Sequence, residues 1–149
     1  MIKDCEQRES LDYQETYNSV IEHSTLRNIF AIAIARNCKM ITFDVKTAFL
    51  YGELEDVIFM YPPEGYNYKN KILKFKKAIY GLRQAPLKWN MKFTNFLKKM
   101  GFKSLSSEQC VFKKNDNNLI LGIYVDNDLL IENNSDEMDK TLKKLGEKF

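Results

Sequence analysis

Acidic and amide side chains follow two strand-like runs in this sequence. They are Asp44, after the run 41–43, and Asp126, Asn127 and Asp128, after the run 121–125. Burying such groups between strands is costly unless a cation lies beside them. Since hard divalent cations prefer oxygen ligands, Asp44 and Asp126 are predicted to meet in space and bind divalent metal. A lone aspartate at a strand end is also a common turn or capping residue, so spacing alone leaves both interpretations open.

The elements that must position these carboxylates are a strand over 40–44 and a β-hairpin over 119–131. Apolar residues at helical spacing predict one helix between Ser24 and Asn37 and another between Pro86 and a left-handed stop at Gly101. A third helix is predicted from a cap at Ser135, with Met138, Leu142 and Leu145 on its buried side. Further strands are predicted over 57–61, 72–75 and 110–112, with a turn over 115–118. The pattern indicates an α+β fold, a small antiparallel sheet packed on helices.

The composition is that of one ordinary globular domain. The chain has 149 residues, of which 44% are apolar and 29% charged, and a net charge of only +3. Three cysteines without a C-x-x-C pair and a single histidine argue against a zinc site or a disulfide framework. The sequence has no apolar run of about 18 residues. We therefore expect an intracellular protein that does not enter a membrane.

Basic residues are concentrated in one part of the chain. Seven lysines and arginines fall within twenty positions, interleaved with aromatic residues. A stretch of this kind is either a solvated face or a surface that contacts phosphates, and composition alone does not decide between them. The residues are Lys69, Lys71, Lys74, Lys76, Lys77, Arg83 and Lys88.

Three blocks resemble the reverse transcriptase of copia-type LTR retrotransposons. They are Asp-Val-Lys-Thr-Ala-Phe-Leu at 44–50, Ala-Ile-Tyr-Gly-Leu-Arg-Gln-Ala-Pro at 78–86 followed by Trp89, and Tyr-Val-Asp at 124–126. The stretches 13–17 and 24–27 are also similar. The resemblance implies a right-hand polymerase palm with partial fingers. By that comparison, residues 1–149 form a single reverse transcriptase domain fragment, with partial fingers over about 1–37 and mostly palm, with a fingers-like insertion, over 38–149.

The same resemblance implies an RNA-directed DNA polymerase that uses two Mg²⁺ (or Mn²⁺) ions. Its expected partners are an RNA or DNA template–primer and deoxynucleoside triphosphates. The thumb, RNase H and integrase portions of the polyprotein are expected to be missing from this chain. The expected location is the cytoplasm, virus-like particles included.

Individual roles also follow from the resemblance. Asp44 and Asp126 would be catalytic carboxylates and metal ligands, with the Val45 backbone carbonyl as a further ligand. Phe49 would be a steric gate against the ribonucleotide 2′-hydroxyl, unless it is simply a core residue. The remaining roles are nucleotide contact for Gln84, a place near the primer end (or packing) for Tyr124, and nucleic-acid phosphate contact for Lys74, Lys76 and Arg83.

The sequence departs from the family at its catalytic hairpin. The family usually has two adjacent aspartates after Tyr-Val, whereas Asn127 stands at the second position here. Asparagine keeps an oxygen ligand but lacks charge, so we expect impaired polymerisation. A one-residue insertion that makes Asp128 the missing carboxylate is the other interpretation. A second departure is Leu87, where many members have a basic residue.

Two other functions remain open at this stage. One is a non-catalytic nucleic-acid-binding remnant of a decayed element, which would keep the basic surface without the metal centre. The other is a nucleotide-sugar transferase that uses Asp126 and Asp128 as a D-x-D metal motif. That motif is too short to be specific, and no doubly wound pattern accompanies it.

Overall fold

The structure is a computed structural model that describes residues 7–8, 10, 13–55, 57–63, 65–66, 71–114, 119–124, 127–133 and 135–149. Three helices and seven strands are found in these residues. The helices are α1 (His23–Ala35), α2 (Ala85–Lys99) and α3 (Ser135–Lys148), and a 3₁₀ helix covers Ala48–Tyr51. The strands are β1 (Lys39–Phe43), β2 (Phe59–Met60), β3 (Leu73–Lys74), β4 (Phe102–Ser104), β5 (Val111–Lys114), β6 (Leu119–Gly122) and β7 (Asp128–Glu132). No helix in this described part is both long and apolar enough to cross a bilayer.

The chain divides into two compact units. The first consists of Met1–Asn18 and Thr47–Thr94, and the second consists of Ser19–Lys46 and Asn95–Phe149. The division falls inside α2. The predicted labels of fingers and palm, with their boundary near residue 37, stay predictions.

The second unit is built on a five-stranded antiparallel sheet with the order β1-β7-β6-β5-β4. All five residues of β7 are buried, because this strand has a neighbour on each side. Its register joins Phe43 of β1 to Asp128 and Gly122 of β6 to Leu129. The predicted antiparallel sheet is therefore confirmed, but sequence analysis missed β4, a strand too short to show alternation.

The two faces of this sheet have different neighbours. Since paired residues share a face, Leu130, Leu121 and Phe112 form one buried row. Lys114 lies on the same face and reaches Glu137 of α3, so α3 covers this side. On the other face, a Cβ at Gly122 would lie 3.4 Å from Ile21, just before α1. We call these the α3 face and the α1 face.

The first unit contains a smaller sheet and its own core. Strands β2 and β3 pair antiparallel, with Phe59 opposite Lys74. One face of this hairpin contributes Ile58 to a buried apolar cluster with Ala78, Leu82 and Ala85. Phe49, Leu54, Phe75 and Ile79 pack against this cluster.

The helix ends show which local patterns were informative. Asn37 and Gly101 have positive φ angles of 51° and 90° just beyond α1 and α2, which confirms both predicted stops. The predicted cap at Ser24 is wrong, because Glu22 is the N-cap and the Ser24 hydroxyl instead donates to its carboxylate. Strands β2 and β3 are shorter than predicted, and the predicted turn over 115–118 lies outside the described residues.

An ion pair joins α3 to the sheet. Lys114 Nζ donates to Glu137 Oε1 at 2.8 Å, and both side chains are mostly buried. This hydrogen bond, and then the lysine charges around it, hold the pKa of Glu137 below its usual range although partial burial opposes this. A carboxyl group with a lowered pKa stabilises the folded state at neutral pH and loses that contribution as the pH falls through its folded pKa.

We therefore expect Glu137→Gln to lower the free energy of unfolding at neutral pH by about 1 kcal/mol. The difference from wild type should disappear in acid, where the wild-type carboxyl is protonated too. Urea unfolding across the pH range measures this. Glu147→Gln, at an exposed position of the same helix, is the matched control and should change little. A Glu137→Gln deficit that persists in acid would contradict the charge argument.

Candidate active site

The end of β1 meets the connection between β6 and β7 in the second unit. Phe43, the last residue of β1, is paired with Asp128, the first residue of β7. Asp44 is the next residue along the chain. Burial is the main reason that the pKa of the Asp128 carboxyl is raised, and the negative charge of Asp44 adds to it. The structure therefore brings the exposed Asp44 side chain to the hairpin that sequence analysis had proposed as its partner.

Asp128 is buried rather than presented to solvent. Its relative exposure is 8%, and its Oδ1 accepts a hydrogen bond from the Tyr124 backbone N–H at 3.2 Å. Burial raises the pKa of the carboxyl to about 7, the bond from Tyr124 opposes this rise, and the Asp44 charge adds to it. Asp128 thus closes the hairpin, a role that sequence analysis did not foresee, since strand periodicity does not show that a carboxyl group will be buried.

Asn127 and Asp128 lie on opposite faces of the sheet. A pocket of about 140 Å³ on the α1 face is lined in part by Thr42, Tyr124, Asn127 and Leu129. Asp128 pairs with Phe43, one position out of phase with Thr42 and Leu129, and so points to the α3 face. The interpretation of Asp128 as the missing carboxylate concerns its position relative to Asp126, which lies outside the described residues, so it stays a prediction.

The donor set suits a hard cation, although only part of it is described. Asp126 and Val125, predicted to be a catalytic carboxylate and its neighbour, lie outside the described residues. Within the described ranges, no three His, Cys, Asp or Glu side chains come together as a metal-binding group. Asp44 and Asn127 are both exposed and offer carboxylate and amide oxygens, the ligand type that Mg²⁺ prefers. Val45 directly follows Asp44 and is half-buried.

Phe49 belongs to the first unit and is held by both its backbone and its ring. The preceding Thr47 has φ 55° and ψ 34°, an unusual conformation for a β-branched residue. The Phe49 ring lies 4.7 Å from the Tyr80 ring and packs against the apolar cluster of that unit. Packing and a gating role are both compatible with this half-buried position.

Gln84 and Arg83 are held by the N-terminal segment of the first unit. Gln84 is only 1% exposed, and its Oε1 accepts from Gln7 Nε2 at 3.1 Å. Gln7 Oε1 in turn accepts from the Arg83 backbone N–H at 2.8 Å. Arg83 Nη1 donates to the hydroxyl of buried Tyr13 at 3.0 Å, and the guanidinium lies 5.5 Å from the Tyr13 ring centre. Sequence analysis missed Gln7 and Tyr13 as supporting residues, because their segment has no periodicity.

The remaining predicted residues are placed as follows. Lys74 and Lys76 are exposed in and just after β3 of the first unit. Tyr124 follows β6 in the second unit, with its ring 6.2 Å from that of His23. Trp89 of α2 stacks on Phe93, with 5.1 Å between the ring centres.

The fold and the site together define the class of this domain. It is an α+β domain in which acidic and amide side chains lie at one end of an antiparallel sheet. Comparison with known sequences gives the family. Residues 1–149 match the family model described as reverse transcriptase (RNA-dependent DNA polymerase). The chain belongs to this reverse transcriptase family, and the resemblance to copia-type retrotransposon enzymes is confirmed. Members of the family use divalent metal ions.

Three relatives show the range of similarity. The chain is 37% identical over 137 residues to the retrovirus-related Pol polyprotein from transposon TNT 1-94 of Nicotiana tabacum, covering 88% of the chain. It is 34% identical over 152 residues to the Pol polyprotein from transposon RE1 of Arabidopsis thaliana, covering 99% of the chain. It is 25% identical over 144 residues to the transposon Ty1-BL Gag-Pol polyprotein of Saccharomyces cerevisiae, covering 93%. The chain spans only 8–10% of the length of these relatives. No solved structure gives a significant match.

The buried carboxyl of Asp128 makes stability depend on pH. A carboxyl whose pKa is raised by folding is ionised in the unfolded chain first, so stability falls as the pH rises between the two pKa values. With a folded pKa of about 7, the loss between about pH 4 and pH 7 is about 4 kcal/mol. Asp128→Asn keeps an oxygen for the Tyr124 N–H without the charge. We expect it to remove this loss and to be more stable than wild type above pH 7.

Urea unfolding in the presence of EDTA, which keeps divalent ions out of the comparison, measures this effect. Asp139→Asn, at an exposed position of α3, is the control and should leave the pH dependence as in wild type. If Asp128→Asn and wild type lose stability in parallel as the pH rises, the carboxyl is not buried as described.

Proposed function

We propose that this chain forms the nucleotidyl-transfer core of an RNA-directed DNA polymerase encoded in a copia-type retrotransposon Pol polyprotein. The observation that carries the proposal is the approach of Asp44 to the β6–β7 hairpin, seen both in the pairing of Phe43 with Asp128 and in the effect of the Asp44 charge on Asp128. By this proposal, residues up to about 37 are partial fingers, and residues 38–149 are mostly palm with a fingers-like insertion.

The residues of this chain would divide the work as follows. Asp44 and Asp126, with the Asn127 amide oxygen and the Val45 carbonyl, would hold divalent metal, which when bound lowers the barrier to attack by the primer 3′-hydroxyl on the α-phosphate. Phe49 would exclude a 2′-hydroxyl from the sugar site. Gln84 would contact the nucleotide, a role that would require its side chain, which is buried and bonded to Gln7, to be uncovered. Tyr124 would lie near the primer end.

Asn127 sets the expected level of activity. An amide in place of a carboxylate removes one negative charge from a site that must attract cations and bind next to phosphates. The cost in electrostatic stabilisation is on the order of several kcal/mol. By this proposal Asp128, which is buried and accepts a hydrogen bond from the Tyr124 N–H, does not replace this charge. We therefore propose that this particular chain polymerises poorly.

The presence of Asn127 in place of an aspartate also favours a second candidate function, a nucleic-acid-binding remnant without catalysis. Such a protein would keep the exposed lysines of the first unit and would bind in a salt-sensitive, metal-independent way. Titration of Mg²⁺ or Mn²⁺ in the presence of template–primer separates the two proposals, since only the polymerase incorporates nucleotide in response to metal. Membership of the reverse transcriptase family gives no support to the nucleotide-sugar transferase alternative.

We expect Asn127→Asp to raise primer extension by at least about tenfold, which corresponds to only 1.4 kcal/mol of recovered stabilisation. The assay uses the longest Pol open reading frame that encodes this chain, with a homopolymer template, a DNA primer and Mg²⁺. Asp44→Asn in the same background should remove the recovered activity. Equal and robust extension by wild type and Asn127→Asp would refute the proposed impairment.

A gating role for Phe49 predicts a change in sugar selectivity. In the Asn127→Asp background, Phe49→Val should raise the incorporation of ribonucleotides relative to deoxynucleotides by about tenfold or more. Phe93→Leu, a substitution at a fully buried aromatic residue of the same unit, is the control for loss of packing. If both variants lower stability and leave sugar selectivity unchanged, Phe49 is a core residue only.

A further inference from the structure

The β2–β3 hairpin of the first unit has one buried and one exposed face. Ile58 and Phe75 are joined by a hydrogen bond from the Phe75 N–H to the Ile58 carbonyl at 3.0 Å, and both belong to the apolar core of the unit. Because side chains alternate along a strand, the neighbouring positions 57, 59, 61, 72 and 74 share the opposite face. We call it the outer face of the hairpin. Lys76 lies at a bend just beyond β3.

The outer face is apolar and aromatic, yet open to solvent. Phe59 is 59% exposed and Tyr61 82% exposed. Val57 and Ile72, on the same face, are also well exposed. These side chains contribute little to the core, since the buried face of the hairpin already supplies it. A cluster of exposed apolar side chains on one face of a short hairpin indicates a contact surface.

Positive charge is interleaved with the aromatic rings. Lys74 is directly opposite Phe59 in the register, and the exposed Lys76 follows two positions later. Two acidic residues that precede the hairpin, Glu53 and Glu55, are paired with Lys92 and Lys88 of α2. No ion pair is found for Lys74 or Lys76 in the part of the chain that the structure describes. The outer face therefore offers aromatic rings and cationic groups side by side.

We propose that the outer face of the β2–β3 hairpin binds single-stranded nucleic acid, with bases stacked on Phe59 and Tyr61 and phosphates in contact with Lys74 and Lys76. Alternation of rings and lysines suits a chain that presents flat bases and regularly spaced negative charges. The inference rests on the proposed function, because the single strand in question is the unpaired template.

A second copy of this chain fits the surface less well. In a two-fold symmetric contact, the same patch faces itself, so the lysines of both copies would be gathered into one interface. The patch also consists of two short strands, whereas stable interfaces bury about 800 Å² on each partner. Charge complementarity therefore favours a polyanion over self-association.

The test compares an oligodeoxythymidylate of about 15 nucleotides with an abasic oligomer of the same length, by fluorescence anisotropy. Phe59→Ser and Tyr61→Ser should each weaken binding of the base-containing strand by about tenfold and leave binding of the abasic strand unchanged. Lys74→Ala and Lys76→Ala should weaken both, and each should reduce the salt slope of log K by roughly 0.7. Tyr61→Phe should bind as wild type does.

Tyr17→Ser is the matched control, because Tyr17 is 74% exposed and lies outside the hairpin. Thermal unfolding of every variant should match wild type, since the substituted side chains are exposed. If the four outer-face variants bind both oligomers as wild type does, the inference fails while metal-dependent primer extension can still succeed. If sedimentation shows that Phe59→Ser and Tyr61→Ser dissociate a protein dimer while binding of both oligonucleotides is unchanged, the surface is an interface between copies and the inference is overturned.

Discussion

The pairing of β7 with two neighbours at once is the constraint on which the candidate site depends. β1 fixes one side of β7 through Phe43 and Asp128, and β6 fixes the other side through Gly122 and Leu129. A slip of one residue in either register would exchange the two faces of the strand and move Asp128 to the α1 face. The fully buried rows on the α3 face oppose such a slip. The position of Asp44 relative to the hairpin therefore follows from core packing, far more than from any attraction between the polar groups themselves.

Two carboxyl groups at this end of the sheet have very different environments. Asp44 is exposed, whereas Asp128 is buried, has a pKa of about 7 and bonds to the Tyr124 N–H. Burying a carboxyl group costs stability, and the proximity of the Asp44 charge increases that cost. In return, the bond to Tyr124 fixes the chain on both sides of the tip. The hairpin is thus held by a polar group that is itself unfavourable in its charged form.

The success of the sequence predictions depended on how far apart along the chain the interacting residues lie. Local patterns located α1, α2, α3, β1 and the hairpin, and Asn37 and Gly101 marked the helix stops. The juxtaposition of Asp44 with the hairpin was predicted from chemistry, because buried oxygen ligands need a cation, and from resemblance. The burial of Asp128 and the contacts of Gln7 and Tyr13 with Gln84 and Arg83 were not predicted. These depend on which segments meet in three dimensions, and an aperiodic polar segment such as 7–17 gives no local pattern from which to infer its partners.

The two units use aromatic residues for opposite purposes. In the second unit, Phe102 and Phe112 are fully buried in the five-stranded sheet. In the first unit, β2 and β3 need a core on one face only, and Ile58 and Phe75 provide it. The rings of Phe59 and Tyr61 are thus not required to fold the hairpin, and their exposure costs hydrophobic stabilisation of about 1–2 kcal/mol each relative to burial. Serine or lysine at these positions would carry no such cost, and this cost is the physical reason for proposing that the outer face contacts nucleic acid.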